Sequence, residues 1–341
     1  MATFALGPMP GTSIIDAADV IAGETGDMRA LPQLPTRGLG SDAVGRTCTL
    51  MPDLPVEKGP RAWRLTARPQ ILTHRIWDRM EEDLDHLQDQ WGCVPVLKAQ
   101  VLGPWSLATH MELPNGHRAV TDFGAMRDIT EALIHGIGEH VSDLHRRFGA
   151  LVRIQIDEPA LSALRRGAVQ GTSDFDTVPA IHPKVLGERL AGVVEAIRGE
   201  KLELVSLNEV GREPNMDIAI FAAVDQIFVS PTEIKGTRLL DAFGEALASG
   251  MRAGLGLHGT DARHLAITAA KFYDELGIER AILSDADITQ SSPRIDTTLV
   301  DVAHNWPHYG RLRKFCIVMR EIFSREGEHH SALHWPGSID R

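Results

Sequence analysis

Two adjacent carboxylates, Asp157 and Glu158, end the run Val152-Arg153-Ile154-Gln155-Ile156, and Pro159 closes the turn behind them. The run is β-rich and mostly apolar, so it reads as a strand that carries both acids to its C-terminal end. Strand alternation sends neighbouring side chains to opposite sides, so one acid can enter a site while the other ties down the loop. The plainer reading is an acidic turn leaving a buried strand. Small and polar groups also follow other strand-like runs, at Gly7-Pro8-Met9-Pro10, Gly103-Pro104-Trp105-Ser106, Ser206-Leu207-Asn208-Glu209, Ser230-Pro231, Leu257-His258-Gly259 and Ser284-Asp285-Ala286-Asp287. Their clustering at one end of an apolar framework points to a small-molecule pocket. Asn208, Glu209, Glu233, Asp285, Asp287 and His258 together could build an oxygen-rich site for a hard cation. The alternative is that these loop carboxylates face water or cap helices. His135, His140 and His145 share one helix, but a spacing of five turns each about 140° from the last, so they form no common ligand face.

The elements that must position these groups alternate along the chain. Strands are predicted at Thr3–Gly7, Trp63–Thr66, Val96–Gly103, Val152–Asp157, Leu202–Leu207, Gln226–Ser230, Arg252–Leu257 and Arg280–Asp285. Between them run amphipathic helices. Met126, Ile129, Leu133, Ile137, Val141, Leu144 and Phe148 fall three and four apart, and Ile76, Met80, Leu84, Leu87 and Trp91 do the same. Eight such alternations predict a single (β/α)8 TIM barrel over residues 1–323, with the active site at the C-terminal ends of its strands. An open doubly wound sheet would want a Gly-x-Gly-x-x-Gly turn after the first strand, and Gly7-Pro8-Met9-Pro10-Gly11 is not one. Residues 8–62, rich in Gly and Pro, read as a loop-rich cap, and residues 324–341 as a polar tail.

The octapeptide Ile154-Gln155-Ile156-Asp157-Glu158-Pro159-Ala160-Leu161 resembles a signature of the cobalamin-independent methionine synthases. The chain is similar to their C-terminal catalytic barrel, most of all to short single-barrel actinobacterial relatives, in the methionine synthase and uroporphyrinogen decarboxylase-like superfamily. The resemblance implies that Gly7, Pro8 and Met9 hold homocysteine and that Trp105 and Ser106 lie near a pterin. It further implies that Asp157 binds the homocysteine amino group and that His258 donates a proton. The family activates the thiol on zinc through a His-x-Cys pair, an acidic residue and a late Cys. Here those positions read Ser206, Asn208, Ser230 and Ala286. Hydroxyl, amide and methyl groups do not replace two thiolates and an imidazole for this ion, so zinc is not carried over and no tightly bound cofactor is expected. The implied activity is methyl transfer to the sulfur of homocysteine or a related thiol from a methyl-folate-type donor. The alternative is a catalytically degenerate, zinc-free relative that binds a small amino acid or pterin. Gly103-Pro104-Trp105-Ser106-Leu107-Ala108 also resembles a uroporphyrinogen decarboxylase segment, but the arginine-rich N-terminal motif of those enzymes has no counterpart here.

Composition narrows the partners. With 35 basic and 46 acidic residues the 341-residue chain carries a net charge of -11, which disfavours nucleic acid and anionic membrane. No apolar run is long enough to span a bilayer and no signal peptide is evident. Three scattered cysteines, Cys48, Cys93 and Cys316, read as reduced thiols of a cytoplasmic protein.

Overall fold

The computed structural model describes residues 2–59, 61–171, 176–257, 262–278 and 285–290. Among the described residues, short polar and Pro-rich connections separate ten helices, α1 (Ile14–Glu24), α2 (Ala43–Cys48), α3 (Ile71–Trp91), α4 (Pro104–Thr109), α5 (Phe123–Phe148), α6 (Leu161–Arg166), α7 (Pro183–Ile197), α8 (Met216–Ala222), α9 (Thr237–Ala248) and α10 (Ala262–Glu275). The strands are β1 (Met28–Ala30), β2 (Val56–Lys58), β3 (Trp63–Leu65), β4 (Val96–Leu102), β5 (Met111–Glu112), β6 (Leu151–Asp157), β7 (Leu202–Glu209), β8 (Gln226–Val229), β9 (Arg252–Leu257) and β10 (Asp287–Gln290). Seven of them form one parallel sheet in the order β1-β4-β6-β7-β8-β9-β10.

Residues 3–8 close that sheet. At one edge Thr3 bridges Ile288 in parallel, and at the other Pro8 bridges Gln33 just beyond β1. Phe4 N donates to Ile288 O at 3.1 Å, Gln33 N to Gly7 O at 2.8 Å and Met9 N to Gln33 O at 2.7 Å. The N-terminal segment is thus the remaining stave of a curled α/β barrel, with helices packed outside. Among the described residues no helix is long and apolar enough to cross a membrane.

Helix periodicity is obeyed where it was strongest. On α5, Met126, Ile129, Leu133, Ile137, Val141, Leu144 and Phe148 are all buried, Asp122 caps the first turn by accepting from Ala125 N, and Gly149 ends the helix with φ 65°. The second stave differs from expectation. Trp63–Leu65 belongs to a separate three-stranded sheet, β2-β3-β5, and Met28–Ala30 takes its place in the barrel. Residues 8–62 therefore contain a barrel stave, α1 and α2 besides loops. Met28–Ala30 is only three residues long, too short to show a period, and its place comes from pairing with β4 over Met28↔Val96 to Ala30↔Lys98. The predicted strand Arg280–Asp285 lies outside the described residues except for Asp285; β10 runs from Asp287, so Asp285 and Ala286 lead into it rather than leave it. The predicted helix around Leu312–Ile322, the tail 324–341 and His258 lie outside the described residues.

The barrel lumen is unusually polar. Arg153 on β6 reaches Asp287 on β10 at 2.9 Å, and these strands are not neighbours in the sheet, so the ion pair crosses the interior. Gln226 Nε2 donates to the same carboxylate at 3.0 Å, and Arg153 is held from its other side by Glu203 at 2.6 Å. Above this layer Phe4, Leu6, Met28 and Phe228 form a small apolar cluster separate from the main core. Phe4 and Phe228 pack at 4.7 Å between ring centroids. Gly254 admits the Phe228 ring, because a Cβ there would overlap it.

Candidate active site at the barrel mouth

One hydrogen-bonded chain climbs from the lumen to the C-terminal mouth. Lys98 Nζ, on β4, donates to Gln155 Oε1 at 2.6 Å and to Leu6 O at 3.3 Å. Gln155 Nε2 donates to Leu6 O at 3.0 Å and to Asp157 Oδ1 at 2.8 Å. Asn208 Nδ2, from the adjacent β7, donates to the same Asp157 oxygen at 2.7 Å, while Asn208 Oδ1 accepts from Val210 N at 3.1 Å. Among the described residues both hydrogen bonds to the Asp157 carboxylate end on Oδ1, and the residue is only half-buried. Among the described residues its Oδ2 carries no hydrogen bond, which makes it the oxygen available to a ligand.

Burial raises the Asp157 pKa above the ordinary carboxylate range, partly offset by the Asn208 and Gln155 hydrogen bonds and by the charges of Lys98 and Arg212. Burial also brings the Lys98 ammonium down to about 7, against the pull of Asp157. Lys98 escaped the sequence analysis. Its signal is the alternation of Lys98 with Gln100 and of Arg153 with Gln155 in strands whose intervening residues are apolar. Such alternation ordinarily marks a solvated face, and here the second face is the lumen.

Glu158 turns the other way. Its Oε1 accepts from Trp105 N at 3.0 Å and its Oε2 from Ser106 N at 2.7 Å, so it clamps the first turn of α4. A Cβ on Gly103 would overlap the Glu158 carboxylate, which accounts for the glycine before Pro104. The two acids therefore divide as strand alternation predicts.

Several expected site residues are elsewhere. Trp105, expected near a pterin, is buried, donates from Nε1 to Leu186 O at 2.9 Å and has the Arg189 guanidinium 5.2 Å from its ring centroid. It packs outward against α7, as its indole N–H requires a buried acceptor there. Ser106 is fully enclosed, with Oγ accepting from Ala160 N at 3.0 Å. Both are parts of the clamp rather than of the mouth. Gly7, Pro8 and Met9 do lie at the closing stave. Gly7 has φ 133°, and a Cβ there would overlap the Gln100 amide, which donates to Leu31 O at 2.7 Å. Pro8 is half-buried and Met9 is enclosed.

The positions that would carry zinc ligands are occupied by working structural groups. Ser206 Oγ donates to Ile154 O at 3.2 Å, Ser230 Oγ accepts from Gly211 N at 3.0 Å, and Asn208 is spent on Asp157. Ala286 precedes β10, at the opposite end of its strand from the mouth. This donor set offers no thiolate or imidazole and does not fit zinc. The oxygen-rich alternative is also dispersed. Asp287 crosslinks the lower lumen, Asp285 is exposed, and Glu233 pairs with Lys235 at 3.4 Å on the surface. Glu209 faces away from Asp157's side of the sheet, accepting from Asn215 Nδ2 at 3.0 Å and facing Arg212 Nε at 3.4 Å.

Burial holds both Glu158 and Glu209 up at about 7, and this fixes a sign. Between the ordinary carboxyl value and about 7 the folded chain keeps protons that the unfolded chain has released. Each glutamate therefore makes stability fall as pH rises through that window, by up to about 1.4 kcal/mol per pH unit. His140, buried and lowered to about 4, works in the opposite sense below its ordinary value. Glu209→Gln keeps an acceptor for Asn215 and removes one titration. Its stability relative to wild type should rise steadily from pH 4.5 to 7 in denaturant unfolding; parallel pH curves for the two proteins would show that Glu209 does not titrate there.

No family model matches the chain, and no curated protein matches it. Among solved structures it is similar to a complex of a GH113 β-1,4-mannanase, with 11% identity, a TM-score of 0.41, and coverage of 92% of this chain and 97% of that one.

Proposed function

We propose that the barrel mouth binds a small amino-acid ligand through Asp157, and that the protein is a zinc-free relative of the methionine synthase barrels rather than a zinc-dependent methyltransferase. The observation that carries this reading is the one-sided carboxylate. Gln155 and Asn208 hold Oδ1 from the protein, and among the described residues Oδ2 has no hydrogen-bond donor. A carboxylate fixed in this way suits an ammonium group, which supplies the charge that burial withholds. The enclosed Trp105 and Ser106 weigh against a pterin stacked on that segment, and the Ser206 and Asn208 hydrogen bonds weigh against a thiolate-activating zinc. A methyl-folate-type donor and transfer to homocysteine belong to the rival reading of an active methyltransferase. Reduced, scattered cysteines and the acidic charge agree with a cytoplasmic protein whose partner is a small molecule.

Calorimetry with methionine and with homocysteine tests the proposal. A charge-assisted hydrogen bond of about 1.5–3 kcal/mol implies that Asp157→Asn weakens binding tenfold or more. Affinity should also fall as pH falls through the raised Asp157 value, because protonation removes the charge that the ammonium meets. Equal affinity in wild type and variant, or no binding by either, removes Asp157 from ligand recognition. In parallel, little or no methionine should form from methyltetrahydrofolate and homocysteine, with or without added zinc. Robust turnover lost in Asp157→Ala would instead establish an active methyltransferase.

A further inference from the structure

A cavity lies outside the lumen, on the same side of the barrel as the mouth. It measures about 490 Å³, within the range of small-ligand pockets, and is lined by α6, by the loop from β7 to α8 and by the start of α9. Arg165 and exposed Arg166 and Arg238 line it together with two acidic residues, exposed Glu213 and half-buried Asp217. Arg165 is already paired with Asp217 at 2.9 Å. Among the described residues Arg166 and Arg238 have no ion-pair or hydrogen-bond partner.

The floor is built rather than incidental. Asn215 is buried, and its Nδ2 is held by Ser162 Oγ at 3.1 Å and by the buried Glu209 at 3.0 Å. Arg238 sits in the first turn of the twelve-residue α9, whose N-cap is Gly236 and offers no side-chain acceptor to the first N–H groups. The positive end of that helix adds to the two free guanidiniums. In a chain of net charge -11 such a local excess of cation is selective for an anion.

We propose that this cleft binds a doubly charged phosphate group, as free phosphate or as the phosphate of a small monoester, between Arg166 and Arg238. Guanidinium forks match phosphate oxygens two at a time, which lysines or a bare helix end do not. Glu213 is the built-in opposing charge, and it gives the proposal a signature that fold damage cannot mimic.

The experiment is calorimetry of the full chain with inorganic phosphate and, separately, glycerol 3-phosphate, at constant ionic strength set with chloride. Both should bind. Arg166→Ala and Arg238→Ala should each weaken binding about tenfold and together abolish it, whereas Glu213→Gln should strengthen it several-fold. Asp157→Asn should leave it unchanged, which separates this cleft from the amino-acid site. Tighter binding of the monoester assigns the remaining volume to the organic part, and equal binding assigns the site to phosphate alone. No binding of either probe, or binding indifferent to both arginine variants, overturns the proposal.

Discussion

Replacing Asp287 with alanine is expected to destabilise the folded chain by about 3–5 kcal/mol, because it leaves a charged guanidinium short of a partner inside the barrel. Asp287 is 1% exposed and accepts from Arg153 Nη1 at 2.9 Å, from Gln226 Nε2 at 3.0 Å and from Ala2 N at 2.7 Å. It therefore joins β6, β8 and β10 to the N-terminal segment that closes the barrel. Loss of the carboxylate removes the acceptor of these three donors at once and the ion-pair partner of Arg252 at 3.9 Å, while Glu203 continues to hold the other edge of Arg153. The double variant Arg153→Met with Asp287→Leu should recover much of the loss, since apolar replacement of both members avoids an unpaired buried charge. Urea unfolding of the two proteins checks this. A single variant within about 0.5 kcal/mol of wild type would mean that the ion pair does not cross the lumen in solution.

Glu158→Ala should cost a comparable amount for a different reason. Its two oxygens satisfy the buried N–H groups of Trp105 and Ser106, and each buried donor left without an acceptor costs about 1–3 kcal/mol. The damage should be local to α4 and the start of α6, where Ser106 Oγ also accepts from Ala160 N. Hydrogen exchange should show the Trp105 and Ser106 amides losing protection before the strands do. Glu158→Gln should fall between the two, because its amide oxygen still accepts but its NH₂ group faces a second donor. Wild-type protection at these amides in Glu158→Ala would contradict the clamp. Because Trp105 also anchors α7 through Leu186 O, the variant should loosen that helix next.

The amphipathic period of α3 and α5 was legible because it repeats over several turns, and its apolar residues are buried or packed on the core in the folded chain. The division of labour at Asp157-Glu158 was legible too, since alternation is a property of the strand alone. The three-residue β1 was not, because a stave that short carries no period and exists only by pairing with β4. Nor was the location of Asp285, Ala286 and Asp287, whose end of the barrel depends on the register Asp287↔Gly254 between strands. Lys98 and Arg153 read locally as residues of a solvated strand face. Only closure of the sheet by residues 3–8 turns that face inward, and the same closure brings Leu6 O onto Lys98 and Gln155, whose links to Asp157 and Asn208 run within and between adjacent strands. By itself the sequence determined the long amphipathic helices, most strands and the side to which each acid points. The tertiary structure decided which polar residues share the lumen, because inter-strand register and barrel closure bring together groups far apart along the chain.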